Sequence, residues 1–167
     1  MFRKFFIAML LPILSACYQF ETDPLKDSGS TFKDTVTYRK LARLGAKIPE
    51  AQPVNGQPSP FGDIGLSSSV IEVSDSTILY SYPEKGEWKI GMISFSEDHI
   101  YLCSLLMEDG ETVEVPSGLY MQINEEPMNK FAKITGDQEL IFEFAKQLGR
   151  QSTKFCMAVP HSKLIVK

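Results

Sequence analysis

Two histidines and two cysteines in the second half of the chain are the residue types best suited to chemistry. His99 and Cys103 are four residues apart, and Cys156 precedes His161 by five. Together they match the ligand set of a Cys₂His₂ zinc site. The run that contains Cys103 has the aromatic and branched residues of a strand, in which four residues span about 13 Å. We therefore expect no metal site, although a helical segment there would restore one.

A thiol nucleophile is the second chemical possibility, with Cys156 beside His161 or Cys103 beside His99. Such catalysis needs a free thiol and a neighbouring base that stabilises the thiolate. Both cysteines lie in apolar runs, and an oxidising compartment would join them in a disulfide. We therefore expect no catalytic cysteine.

Paired carboxylates and exposed aromatic residues are the remaining candidates. Four acidic residues flank one predicted turn, where they suit acid–base chemistry or, more commonly, a solvated hairpin tip: Glu108, Asp109, Glu111 and Glu114. Trp88 and Tyr120 have the chemistry to stack on a sugar ring, although such residues more often belong to a core. The sequence has no phosphate-binding glycine loop, no nucleophile elbow and no H-E-x-x-H motif. We predict that the protein is not an enzyme and binds no cofactor.

The first sixteen residues have the order of a secretory signal peptide. Arg3 and Lys4 precede a ten-residue apolar run from Phe5 to Leu14, and the small residues Ser15 and Ala16 follow. A helix of ten residues spans about 15 Å, which is half of a hydrocarbon core of about 30 Å. We therefore predict a signal peptide at residues 1–16 rather than a permanent transmembrane helix.

The segment Leu14-Ser15-Ala16-Cys17 resembles the lipobox of bacterial lipoproteins, in which a leucine and two small residues precede a cysteine. The resemblance covers residues 1–17 only. It implies transfer of diacylglycerol to the thiol of Cys17, cleavage before Cys17 and acylation of the new amino group. In Gram-negative lipoproteins an aspartate after the cysteine commonly retains the protein in the inner membrane. Tyr18 stands there, so the resemblance implies the outer membrane, facing the periplasm.

Charge is unevenly distributed along the 167 residues. The formal net charge is −4, and loss of Arg3 and Lys4 with the signal peptide makes it −6. This charge argues against a nucleic-acid-binding protein. Residues 84–126 hold ten acids and two lysines, whereas residues 26–47 hold six bases and two acids. The acidic stretch suits a basic protein partner, and the alternative is an ordinary solvated surface.

Export changes how Cys103 and Cys156 are interpreted, because two thiols remain once Cys17 is acylated. We predict a structural disulfide between them, which would close a loop of 53 residues and contribute on the order of 4 kcal/mol. Free thiols buried in the core are the alternative.

The chain between Cys17 and the predicted domain is polar and rich in proline. Residues 18–34 lack a sustained period, which indicates a flexible tether. Residues 35–48 have the spacing of a short amphipathic helix, which either contacts anionic lipid or docks on the domain. Residues 49–63 hold four prolines and indicate a linker. We predict a tether at 17–63 and a single domain at 64–167.

The domain is predicted to be α+β: an antiparallel meander of about six strands and a C-terminal strand, packed against one amphipathic helix. The helix is predicted at 136–149, with Thr135 and Gln138 as a capping box and Gly149 at its end. A strand at 155–159 would return beside 100–107 and bring the cysteines together. The meander strands are predicted at 70–73, 77–82, 88–95, 100–107, 112–115 and 119–123.

These patterns predict a lipid-anchored envelope protein whose domain binds or supports other envelope components without catalysis. The alternative is an inhibitor or immunity lipoprotein that neutralises a basic periplasmic toxin or hydrolase through residues 84–126. A contiguous acidic surface would favour that alternative.

Overall fold

The computed structural model describes residues 16–44, 68–107, 113–126 and 129–164. Within them the chain forms one eight-stranded sheet and three α-helices, with two short 3₁₀ turns near the start. The helices are α1 (Val36–Arg43), α2 (Gln138–Gln151) and α3 (His161–Leu164). The strands are β1 (Ala16–Phe20), β2 (Val70–Ser74), β3 (Thr77–Glu84), β4 (Glu87–Phe95), β5 (His99–Met107), β6 (Leu119–Glu126), β7 (Asn129–Gly136) and β8 (Thr153–Pro160).

The sheet has the order β2-β3-β4-β5-β1-β7-β6, and β8 pairs with β5. Strand β1 joins the two halves: Cys17 lies opposite Leu106 of β5 in an antiparallel pair and opposite Phe131 of β7 in a parallel one. At its other end Phe20 pairs with Trp88 of β4. The prediction of a mixed fold dominated by one sheet is therefore confirmed. The purely antiparallel meander was wrong, because the N-terminal strand enters the sheet between β5 and β7.

Helices cover both sides of the sheet, which corrects the prediction of a single helix. Side chains alternate along a strand, so neighbouring residues belong to different cores. Leu79 packs in the core under α2, whereas Ile78 packs in the core under α1. The α2 core also contains Phe20, Met92, Leu105, Ile134, Phe144 and Leu148. The α1 core also contains Phe32, Leu41, Val70, Ile93, Ile100 and Val159.

Helix α2 confirms the predicted amphipathic helix, with different ends. Its N-cap is Asp137, whose carboxylate accepts hydrogen bonds from the backbone of Glu139 at 2.9 Å and Leu140 at 3.3 Å. Thr135 lies in β7 instead of capping the helix. Gly149 is an interior helical residue, since α2 continues to Gln151, and a Cβ at this position would stand 2.3 Å from Cδ1 of Leu79. The glycine is thus explained by close packing of helix on sheet.

The N-terminal segment belongs to the domain, so the predicted flexible tether at 18–34 was wrong. Leu25, Phe32 and Leu41 have no exposed surface. Few apolar residues occur in this segment, but nearly all of them are buried. Helix α1 docks on the domain, as one of the two predicted alternatives required: Glu72 Oε1 accepts a 2.7 Å hydrogen bond from its first amide, Val36 N. The predicted linker at 49–63 lies outside the described residues.

Strands β2 to β6 correspond to five of the six predicted meander strands, and β8 confirms the C-terminal one. The remaining predicted strand, at 112–115, was wrong for the residues that the structure describes, because 113–115 are irregular. Strand β7 was not predicted. In the parts of the chain that the structure describes, no helix has the length and apolar character to cross a bilayer.

Candidate site around Cys17

Cys17 lies at the beginning of β1, with a free and half-buried thiol. The next residue, Tyr18, is 3% exposed and packs with Phe20 in the α2 core. Because side chains alternate, Cys17 and Gln19 lie on the other side of the sheet. We call this side, opposite α2, the open side. The predicted attachment residue is therefore separated from the folded core by a single peptide bond.

A groove of about 780 Å³ lies next to Cys17 on the open side. It runs across β4, β1, β7 and β6, so it takes residues that are far apart in sequence. Three lysines and three glutamates line it, which makes its formal charge zero. Its lining residues are Gln19, Glu84, Lys85, Glu87, Lys89, Gln122, Asn124, Glu126, Phe131 and Lys133.

Ion pairs fix the charged side chains of this groove. Lys133 Nζ donates a 2.7 Å hydrogen bond to Glu87 Oε1, and this bond raises the pKa of Lys133 above its usual value. Lys89 forms a second ion pair, with Glu84. Two ion pairs therefore hold four of the six charged side chains that line the groove. The groove offers hydrogen-bond donors and acceptors to a polar ligand, and no nucleophile with an adjacent base is found among its lining residues.

The disulfide between Cys103 and Cys156 is present, as predicted. The two cysteines lie directly opposite each other on β5 and β8. Cys103 is buried in the α2 core, whereas Cys156 is exposed at the edge of the sheet. The bridge ties β8 to β5 across 53 residues of sequence and uses both thiols. Neither sulfur is a free nucleophile or a metal ligand in this state.

The two histidines have other partners. His99 Nδ1 lies 2.9 Å from Asp98 Oδ1, and this hydrogen bond lowers the pKa of Asp98. The ring of His161 stacks on Phe95 with centroids 4.8 Å apart. Among the described residues, no group of three or more His, Cys, Asp or Glu side chains is arranged to hold a metal ion.

The acidic residues of 84–126 do not form one surface in the described part of the chain. Glu84 ends β3 and its partner Glu87 begins β4, whereas Glu97 and Asp98 follow the end of β4. The nine residues of β4 separate these groups by about 26 Å. The first group is paired with lysines. Of the four candidate turn carboxylates, Glu114 is exposed, and Glu108, Asp109 and Glu111 lie outside the described residues.

The two aromatic residues considered for sugar stacking lie on opposite sides of the sheet. Trp88 is half-buried and packs against the α2 core. Tyr120 is 74% exposed on the open side, because its neighbours Leu119 and Met121 face α2. They therefore cannot hold one ring between them.

Sequence reasoning predicted Cys17 as an attachment residue and did not predict the groove beside it. Its lysines and amides come from four strands and from the turn between β3 and β4, and two of the strands, β1 and β7, were not predicted. Comparisons of the chain with protein-family models, curated proteins and solved structures find no match. Inference about function therefore starts from the geometry around Cys17.

Proposed function

We propose that this protein is a lipid-anchored component of the bacterial cell envelope, attached through Cys17. Its domain binds or supports other envelope components without catalysis, from the periplasmic face of the outer membrane. The observation that carries the proposal is the lipobox-like motif ending at Cys17, together with the position of Cys17 in β1, where its side chain lies on the open side of the sheet.

Cleavage before Cys17 is compatible with the fold. Within the described residues it removes Ala16, whose strand pairing is with Met107. The four residues Cys17–Phe20 keep their pairing with β7, and the buried side chains of Tyr18 and Phe20 remain. Maturation would thus leave β1 and its core contacts in place.

The direction of the Cys17 side chain supports acylation. Its thiol lies on the open side, away from the α2 core, so a thioether-linked diacylglycerol need not displace core residues. Two or three acyl chains hold a protein stably at a membrane, because each buried CH₂ contributes roughly 0.8 kcal/mol.

The disulfide and the groove support the remaining parts of the proposal. Cys103 and Cys156 are oxidised, as is usual in exported proteins. The groove holds paired charges and amides, which suit recognition of a polar ligand better than proton transfer or nucleophilic attack.

The proposal is tested by expressing the chain in a Gram-negative host and measuring the intact mass of the membrane-extracted protein. We expect residues 1–16 to be absent and Cys17 to carry two or three acyl chains. The Cys17→Ser variant should lose both changes, whereas the exposed-site control Ser30→Ala should keep them. A chain with an unmodified thiol at residue 17 would sink the proposal. Density-gradient separation of the two membranes tests the outer-membrane location.

A further inference from the structure

Strand β8 exposes two large apolar side chains on the open side. Phe155 is 69% exposed and Met157 is 53% exposed. They alternate with Cys156, which is bonded to Cys103 in the α2 core, so they lie on the side opposite α2. They are opposite Ser104 and Leu102 of β5. Exposed apolar residues grouped in this way mark an interaction surface.

Sheet register places this pair close to the anchor. Cys17 lies opposite Leu106, and Leu106 lies opposite Thr153 at the start of β8. Phe155 lies two strands across from Cys17 and two residues further along β8. This offset corresponds to about 12 Å between the two Cα atoms. Met157 follows on the same line, further from the anchor.

Helix α1 continues the line at the far end of β8. It covers Ile100 and Val159, which are opposite each other on β5 and β8. Its buried residue Leu41 faces the sheet, while Arg39 and Arg43 are exposed. The helix carries three bases and no acid. The anchor, the apolar pair and a basic helix therefore lie on one side of the sheet.

We propose that the open side rests on the surface of an anionic phospholipid membrane. Phe155 and Met157 enter the interfacial layer, and Arg39 and Arg43 contact lipid phosphates. This inference rests on the proposed acylation of Cys17, which leaves no tether between acyl chains and sheet and so holds this side at the bilayer. Apolar burial and attraction to anionic headgroups then act together.

This orientation places α2 on the side away from the membrane. The groove beside Cys17 opens at the level of the headgroups, where its paired charges and amides would meet polar groups close to the bilayer surface. A partner recognised by the groove would be met at the membrane.

The test uses the acylated protein in vesicles that contain phosphatidylglycerol. A photoreactive benzoylphenylalanine replaces Phe155 in one variant and Glu139, an exposed residue of α2, in a matched control. After illumination, mass spectrometry identifies the adducts. We expect lipid adducts in the variant at residue 155 and none in the variant at residue 139. The yield at residue 155 should fall in vesicles of phosphatidylcholine alone and in the double variant Arg39→Gln/Arg43→Gln.

The outcomes distinguish failure of the membrane orientation from failure of the proposed acylation of Cys17. Intact mass reports first whether Cys17 is acylated, and an unacylated chain overturns both. An acylated chain without lipid adducts at residue 155 overturns the orientation alone. Crosslinks from residue 155 to another part of the same chain, residues 45–67 included, would also overturn it, since that segment would then cover the patch. A yield unaffected by lipid charge or by the arginine substitutions contradicts the role of α1.

Discussion

Lys133 of β7 reaches Glu87 of β4 across the strand that lies between them. The ammonium donates a 2.7 Å hydrogen bond to the carboxylate, over β1. This ion pair therefore connects the two halves of the sheet on the open side. The buried core on that side, under α1, contains no described residue of β7 or β6.

The hydrogen bond between Lys133 and Glu87 predicts how the pKa of Lys133 changes when Glu87 is replaced. The pKa of Lys133 is raised chiefly by its hydrogen bond to Glu87, so Glu87→Gln should lower it. Glu126→Gln, in the same groove, is the matched control and should have little effect. Because the folded-state pKa lies above the unfolded value, the pair stabilises the fold below pH 10.5 and loses this effect as the pH rises through the folded-state pKa. NMR titration of the lysine ε-carbons measures it, and an unchanged pKa in Glu87→Gln would contradict the contact.

Loss of the disulfide should destabilise the domain without changing its topology. Cys103→Ala/Cys156→Ala removes a crosslink over 53 residues, and we expect the free energy of unfolding to fall by on the order of 4 kcal/mol. Denaturant titration of this variant and of Ser104→Ala, an exposed neighbour on β5, provides the comparison. Equal midpoints for both variants would show that the bridge contributes nothing.

The N-cap of α2 can be assigned by two substitutions. Asp137→Ala removes the acceptor of two backbone amides and should cost about 1 kcal/mol of stability. Thr135→Ala alters the residue that the sequence pattern favoured as cap, and it should cost clearly less. The reverse order in thermal or chemical unfolding would restore the capping box of the sequence pattern.

Gly149→Ala should destabilise the domain although alanine favours helices. The new Cβ would stand 2.3 Å from Cδ1 of Leu79, and overpacking of this kind costs about 1–3 kcal/mol, against about 1 kcal/mol gained in helix propensity. Leu79→Ala in the same background should relieve the clash, so the two substitutions should cost less together than the sum of each alone. Strict additivity in this double-mutant cycle would mean that the two residues do not press on each other.

Local patterns predicted α2 and β8 well, because both depend on neighbouring residues. The apolar spacing of Ile141, Phe144 and Leu148 is that of one helical face, and all three are buried. The disulfide was predicted because two of the three cysteines remain once Cys17 is set aside, and each of the two lies in a strand-like run.

The remaining features could not be predicted from local patterns, because they depend on pairing between residues that are far apart in sequence. Residues Ala16–Phe20 follow an apolar signal-like run and precede a polar stretch, so nothing local indicates a strand. The partners of this strand lie on β4, β5 and β7, and the nearest of them in sequence, Trp88, is 68 residues from Phe20. The same limit hid the groove, since Gln19, Lys89 and Lys133 become neighbours only when β1 enters the sheet. The prediction of Cys17 as an attachment residue rests on a contiguous motif, whereas the surface around Cys17 is built from residues that are far apart in sequence.

The position of β1 has a consequence for the order of events in the cell. Among the described strands, β1 is the first in chain order and lies inside the sheet, where its pairing joins β5 to β7. If β1 stays joined to a signal peptide or to acyl chains, the last steps of folding take place at the membrane to which β1 is attached. Export, lipid attachment and closure of the sheet are then successive stages of one assembly process, and a chain that stalls at an early stage leaves β7 with an open edge.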